Sequence, residues 1–262
     1  MACVGSKVRA PRLLSSLLPA LCLAACATAV SPSRTPLPDD ARRLIALLTL
    51  RRDEFSDLRT LAEVTVRRGA TVQRLSGVLL VKPPASLRFE ALSPFGQPFL
   101  LLTIADRALT MYNVAENQSL SGPVHARTTG RWLGVPLDAE DLVGLLIGRV
   151  IPPGGLREAE ILPADADGPS LRLVGRDRSQ RVWMDRETGE VLKTEVSGGR
   201  TALVVTYRRD SQPDLPTEIR ASAAGAALEA TIRYRQPAIG TGLGAERFGL
   251  TVPQDANIQR FH

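Results

Sequence analysis

Two histidines, His125 and His262, and three cysteines, Cys3, Cys22 and Cys26, are all the chain offers for nucleophilic or soft-metal chemistry. A serine hydrolase would need His125 as its base, yet no G-x-S-x-G elbow precedes a helix and His125 has no particular acidic neighbour. It reads as a surface histidine. Carboxylates pair at Asp39/Asp40, Glu140/Asp141 and Asp165/Asp167, each at a helix start or in a Gly/Pro-rich loop where acidic side chains satisfy backbone donors. The run 240-GTGLGA-245 has the wrong glycine spacing for a nucleotide fingerprint, and 247-RFGLTVP-253 after it reads as a strand, so a phosphate there would find no helix N-terminus. The expectation is a protein that is not an enzyme and uses no metal, nucleotide or other cofactor.

The chemistry that does fit lies at the N-terminus. Lys7, Arg9 and Arg12 precede 13-LLSSLLPALCLAA-25, an apolar run too short to span a bilayer, which needs ~20 residues. This predicts a signal peptide over residues 1–25. Leu23-Ala24-Ala25-Cys26 resembles the lipobox of bacterial lipoproteins, which implies that the Cys26 thiol takes a diacylglycerol and becomes the N-terminus. Ala27 follows, in place of the aspartate that commonly marks inner-membrane retention, so the expected location is the outer membrane, facing the periplasm. With Cys3 and Cys22 removed and Cys26 alkylated, no disulfide and no Cys/His metal site can form. Loss of Lys7, Arg9 and Arg12 also lowers the net charge of +6 by three. The remaining cations, apart from Lys82 and Lys193, are interspersed arginines without a basic run, which does not suit nucleic acid. Residues 26–38, rich in Pro, Ser and small side chains, read as a tether that reaches about 40 Å at about 3.3 Å per residue.

The elements behind these features are mostly strands. Leu44, Leu47, Leu48, Phe55 and Leu58 recur at helical spacing after Asp39-Asp40, predicting an amphipathic helix over 39–57 capped by those aspartates. The period then becomes two over 60–68, 71–82, 86–92, 98–106 and 108–114, and again over 170–177, 181–185, 190–198, 201–209, 217–223 and 227–235. Between the two sets, 138-DAEDLVGLLIG-148 reads as a second helix with Asp138 as its cap. Gly189 suits a hairpin turn over 185–190, and Ser93-Pro94-Phe95-Gly96 suits another that leaves Phe95 at its tip. About eleven antiparallel strands and two helices over residues 39–262 form one domain, whose sheet should curl.

The runs 99-FLLLTI-104 and 78-VLLV-81 and the helix around Leu145 are apolar on both sides of the strand period, which suits strands lining a greasy cavity. The order of lipobox, strand, 93-SPFG-96, strand, 130-GRWLGVPLDAEDLVGLLIG-148 and the closing 247-RFGLTVPQDANIQRF-261 resembles the LolB family of outer-membrane lipoprotein receptors, within the wider LolA/LolB carrier superfamily. The resemblance covers most of residues 60–261. It implies a curled, half-closed antiparallel β-barrel whose helices cover an apolar cavity for acyl chains, with a LolA-like periplasmic carrier as partner and no nucleotide. Phe95 stands where the family carries a protruding apolar residue that assists lipid delivery. The alternative, Phe95 folded back on Pro98 or Phe99, stays open. Phe89, Leu102, Trp132 and Leu146 are the candidates for the cavity lining, although alternation does not say which face is inside. Three functions fit: a lipoprotein receptor, a binder of another lipid or glycolipid, and a scaffold lipoprotein of the envelope.

Overall fold

The computed structural model describes residues 37–210, 214–223, 225 and 227–262, with the side chain of Trp132 outside the described set. The expected leader, Cys26 and most of the tether also lie outside it. Helix α1 (Asp39–Asp53) is followed by strands β1 (Leu58–Arg68), β2 (Thr71–Lys82), β3 (Ser86–Leu92), β4 (Pro98–Ala105), β5 (Ala108–Asn113) and β6 (Gln118–Pro123). Helices α2 (Ala126–Trp132) and α3 (Ala139–Leu146) come next. The second strand set is β7 (Glu158–Asp165), β8 (Gly168–Val174), β9 (Ser179–Met184), β10 (Val191–Ser197), β11 (Leu203–Arg208), β12 (Glu218–Ala223) and β13 (Leu228–Ile239). A 3-10 turn (Ala245–Phe248) and β14 (Asn257–Arg260) end the chain.

All fourteen strands join one sheet in the order β14-β6-β5-β4-β3-β2-β1-β13-β12-β11-β10-β9-β8-β7. Each set is a meander of neighbouring hairpins, and the long strands β1 and β13 pair antiparallel to weld the two sets together. Among the described strands, the one parallel pairing is β14 on β6. Strands β7 and β14 are the free edges, so the sheet curls without closing. At Gly77 the neighbouring strand comes so close that a Cβ there would run into the Glu90 carbonyl.

Inward-facing residues make one core. Leu58, Val81, Leu87 and Ile104 from the first set join Leu171, Leu173, Val182 and Val205 from the second, with Ala41, Leu44 and Leu48 of α1 and Val143 of α3 laid over them. The helix expected over 39–57 stops at Asp53: Phe55 turns into the core, Asp57 is drawn into a loop contact, and β1 already begins at Leu58. Its N-cap position is Pro38 and no side chain caps it, while Asp39 pairs with Arg42 instead. At the other end the buried Arg149 donates from Nε to the Arg51 carbonyl (3.0 Å) and from Nη2 to the Asp214 carbonyl (3.1 Å), closing the helix with a cation. Burial, with Arg51 and Arg209 nearby, pushes that guanidinium down to about 10.

Fourteen strands replace the expected eleven or so, because β6, β7 and β14 carry weak signals. β6 (QSLSGP) has one large apolar residue, β14 (NIQR) is exposed throughout, and β7 includes a proline. The strand expected over 247–253 is a correction of the opposite kind. Phe248 is buried from a 3-10 turn, and the coil after it runs on to β14.

Candidate functional site

The inner face of β1–β5 changes character along its length. Cross-strand partners share a face, and Leu87↔Ile104 and Leu58↔Val81 are sealed beneath the helices. Toward the 93–97 turn the partners are Phe89↔Leu102, Ala91↔Leu100 and Val64↔Leu75, and on the far side of β1 Val64 also faces Ile232. Val64, Leu75, Leu100, Leu102 and Ile232 are only half-buried, although all belong to the edge of the core. They form an aliphatic trough that the helices flank without sealing.

The flanking helices are fixed in place by polar ties. The Asp138 N–H donates to Asp141 Oδ2 (2.8 Å) at the start of α3, as expected of Asp138 and Asp141 as capping residues. Arg178, in the β8–β9 turn, then holds Asp141 with two parallel bonds of 2.5 and 2.6 Å, both side chains being buried. The other end of α3 is held by Tyr234 of β13, whose hydroxyl donates to the Leu146 carbonyl (2.8 Å). Thr129 ties α2 to residue 137, accepting from the Leu137 N–H (2.8 Å) and donating to its carbonyl (2.6 Å).

Of the four expected lining residues, Phe89 and Leu102 lie opposite each other on neighbouring strands, and Leu146 borders the same large core. Phe89 is 9% exposed and so forms the floor, whereas Leu102 and Leu146 stand at the half-open margin. The side chain of Trp132 lies outside the described residues. Sequence reasoning missed Val64, Leu75, Leu100 and Ile232, because inside and outside of a strand are assigned only once its neighbours are known. Their signal was present as β-branched and leucine residues at every second position.

Phe95 is 91% exposed. Its turn is closed by Gly96 N–H to the Ser93 carbonyl (2.9 Å) and Ser93 N–H to the Gln97 carbonyl (2.8 Å), with Gly96 at φ +78°. That left-handed φ favours glycine, and the turn leaves the ring in solvent. The fold-back alternative does not fit this exposure.

The other chemistry-bearing residues have structural partners. His125 is half-buried and caps α2, its Nδ1 accepting from the Thr128 N–H (3.4 Å). Glu140 takes both Arg107 Nε (2.9 Å) and Nη2 (2.8 Å). Asp165 does more than satisfy a loop: beside the Asp167 N–H (2.9 Å) it accepts from Trp183 Nε1 (3.0 Å) and Arg181 Nη2 (2.6 Å). The glycine run 240–245 does cradle an anion, the chain's own. Asp57 accepts from the Thr241 N–H and hydroxyl (both 2.8 Å), the Gly242 N–H (2.9 Å) and the Leu243 N–H (3.2 Å). Burial alone would raise the Asp57 pKa, but these four bonds outweigh it and hold the carboxyl below its usual range.

No protein-family model matches the sequence, and no curated protein matches it. Solved structures do share its shape. A LolA-superfamily protein from Nitrosomonas europaea aligns with a TM-score of 0.53 at 15% identity, over 80% of this chain and 97% of the other. A putative outer membrane lipoprotein-sorting protein domain from Vibrio parahaemolyticus gives 0.54 at 14% identity, over 79% and 97%. A DUF1329 family protein from Desulfovibrio piger gives 0.55 at 14% identity, over 81% and 98%. At such identities the likeness is one of fold, and the fold is the curled, half-open β-barrel seen in LolA-superfamily proteins.

Proposed function

We propose that the chain binds acyl chains in the inner-face trough and, anchored through Cys26 at the periplasmic face of the outer membrane, accepts lipoproteins from a LolA-like soluble carrier and helps insert them. The observation that carries this reading is the half-buried row Val64, Leu75, Leu100, Leu102 and Ile232, a run of aliphatic side chains left partly open along neighbouring strands of the inner face. Burying such side chains contributes about 25 cal/mol per Å² of apolar surface, and a visiting acyl chain can supply that contact where the protein does not. The need for a carrier follows from magnitude. A chain of about sixteen carbons loses ~0.8 kcal/mol per CH₂ exposed, so release into water costs more than ~10 kcal/mol per chain. Passing the chain from one apolar surface to another avoids that cost and needs no nucleotide, only tighter binding by the receptor. No catalytic step is part of the proposal.

Titration of the purified chain with a fluorescent fatty-acid analogue tests the trough. Saturable binding that weakens in Leu102→Gln, with the fold intact, is expected. No binding at micromolar protein would overturn the reading and favour a scaffold. Native mass spectrometry of co-purified lipid then separates a lipoprotein receptor from a carrier of another lipid.

A further inference from the structure

The outer face of the sheet carries a second apolar feature that the trough does not explain. Leu61 pairs with Val78 and Arg235, Glu63 with Ser76 and Arg233, and Thr65 with Arg74, on the side opposite Ala62, Val64 and Leu75. Leu61 and Phe99 are 42% and 36% exposed. With Leu92, Pro94, Arg74 and Arg235 they line an open groove of about 670 Å³, which at Gly77 also reaches Ala62 and the trough residue Leu75. Elsewhere on this face the protein covers its own apolar surface. Leu80 and Val78 lie under Leu243 and Phe248 of the C-terminal segment, which Lys82 Nζ holds by the Leu243 carbonyl (2.5 Å) and Arg88 Nη1 by the Gly249 carbonyl (2.5 Å). No residue of that segment lines the groove.

Two further observations restrict what could fill it. Ser93 and Pro94 belong both to the groove and to the turn that presents Phe95, so an occupant lies directly beside the exposed ring. The charges at its rim are unequal: Arg235 is held by Glu63 (2.7 Å), whereas Arg74 is exposed and pairs with no carboxylate among the described residues. An apolar channel with one unneutralised guanidinium at its edge matches an amphiphile with one negative head.

We infer that the groove takes one acyl chain of an anionic membrane phospholipid, with Arg74 against its phosphate, and so seats the Phe95 turn on the bilayer. This rests on the membrane role proposed above. The groove is open along its length, so a lipid can lay one chain in it while the other stays in the membrane.

Vesicle flotation tests it, using the mature chain with Cys26→Ala so that the anchor does not mask weaker contacts, on phosphatidylcholine vesicles with and without phosphatidylglycerol. Arg74→Glu should lose about tenfold in binding to the mixed vesicles, the attraction to the anionic headgroups being replaced by repulsion, and little on phosphatidylcholine alone. Leu61→Gln should lose on both, and melting curves should match the parent because both positions are exposed. If Arg74→Glu and Leu61→Gln bind like the parent while Phe95→Glu does not, the groove inference falls and the membrane role of the turn stands. If the parent ignores both kinds of vesicle, both fall. Competition by a dissolved fatty acid at Arg74, with no dependence on vesicle charge, would make the occupant a free amphiphile and overturn the membrane source.

Discussion

The two strand sets share one meander topology but not one state of completion. On the inner face of β8–β11, Leu171, Leu173, Val182, Val196 and Val205 are sealed, and even polar groups such as Thr194, Gln180 and the Asp141–Arg178 pair are buried there. On the inner face of β1–β5, sealing holds at the end near α1 and α3 and fails toward the 93–97 turn. Local sequence does not cause the difference, since both sets alternate apolar and polar residues. Coverage does: α3 is anchored to the second set by Arg178 and to β13 by Tyr234, and among the described residues nothing equivalent reaches Leu75, Leu100 or Leu102. The more fully packed set is a frame, and the first set keeps more of its apolar surface half-buried.

The frame should be the sensitive side. Leu173→Ala should cost about 2–5 kcal/mol of unfolding free energy by transfer plus cavity. Arg178→Ala should cost about 3–5 kcal/mol by stranding the buried Asp141 carboxylate. Denaturant titration reads both. A Leu102→Ala loss as large as that of Leu173→Ala would break the comparison outright. Asp57→Ala, which orphans four donors of the 241–243 loop, belongs in the middle at about 1–3 kcal/mol. The Asp57 carboxyl is held below the ~3.9 of a free aspartate, so its stabilisation is complete above about pH 4 and drains away as pH falls through the lower folded value. Parent and Asp57→Ala should therefore converge in stability under acid, and a gap that widens as the pH drops would contradict the assignment. Leu100→Ala and Leu102→Ala, at half-buried sites, should cost only about 1 kcal/mol while lowering fatty-acid affinity. Equal affinity in both variants would move the binding site off the trough.

Much of this was legible beforehand. Period-two alternation placed β1–β5 and β8–β13 to within a few residues, and the Pro-x-Gly signal placed the 93–97 turn with Phe95 outward. What stayed hidden depended on distant partners. β14 is a strand only because β6 offers a free edge, since its own four residues are all exposed. Phe248 looked like a strand residue because burial by a 3-10 turn against Leu80 leaves the same local pattern. Phe89, Leu102 and Leu146 were singled out from apolar type alone, and the structure places them at the core or its half-buried margin; which of that margin stays half-buried has no mark in any one segment.

The smallest effect on stability, and the sharpest on function, is expected at Phe95. An exposed loop residue contributes little to folding, so Phe95→Glu should shift unfolding free energy by no more than about 0.5 kcal/mol and leave fatty-acid binding in the trough unchanged. Delivery should fail nonetheless. A carboxylate must stay hydrated at the bilayer surface, where the phenyl ring it replaces can enter the interface. Phe95→Leu restores an apolar tip without aromaticity, so it should recover most of the transfer and show that apolar contact, rather than ring chemistry, is what the turn supplies. The measurement is transfer of a lipoprotein from a loaded soluble carrier to liposomes, set beside the melting curve of each variant. If Phe95→Glu transfers as well as the parent, the turn has no part in delivery and the open half is a binding surface alone. If it melts much earlier, the ring packs in solution against something the exposed geometry of 93–97 does not show, and the contrast between a rigid frame and a working margin would have to be redrawn around that contact.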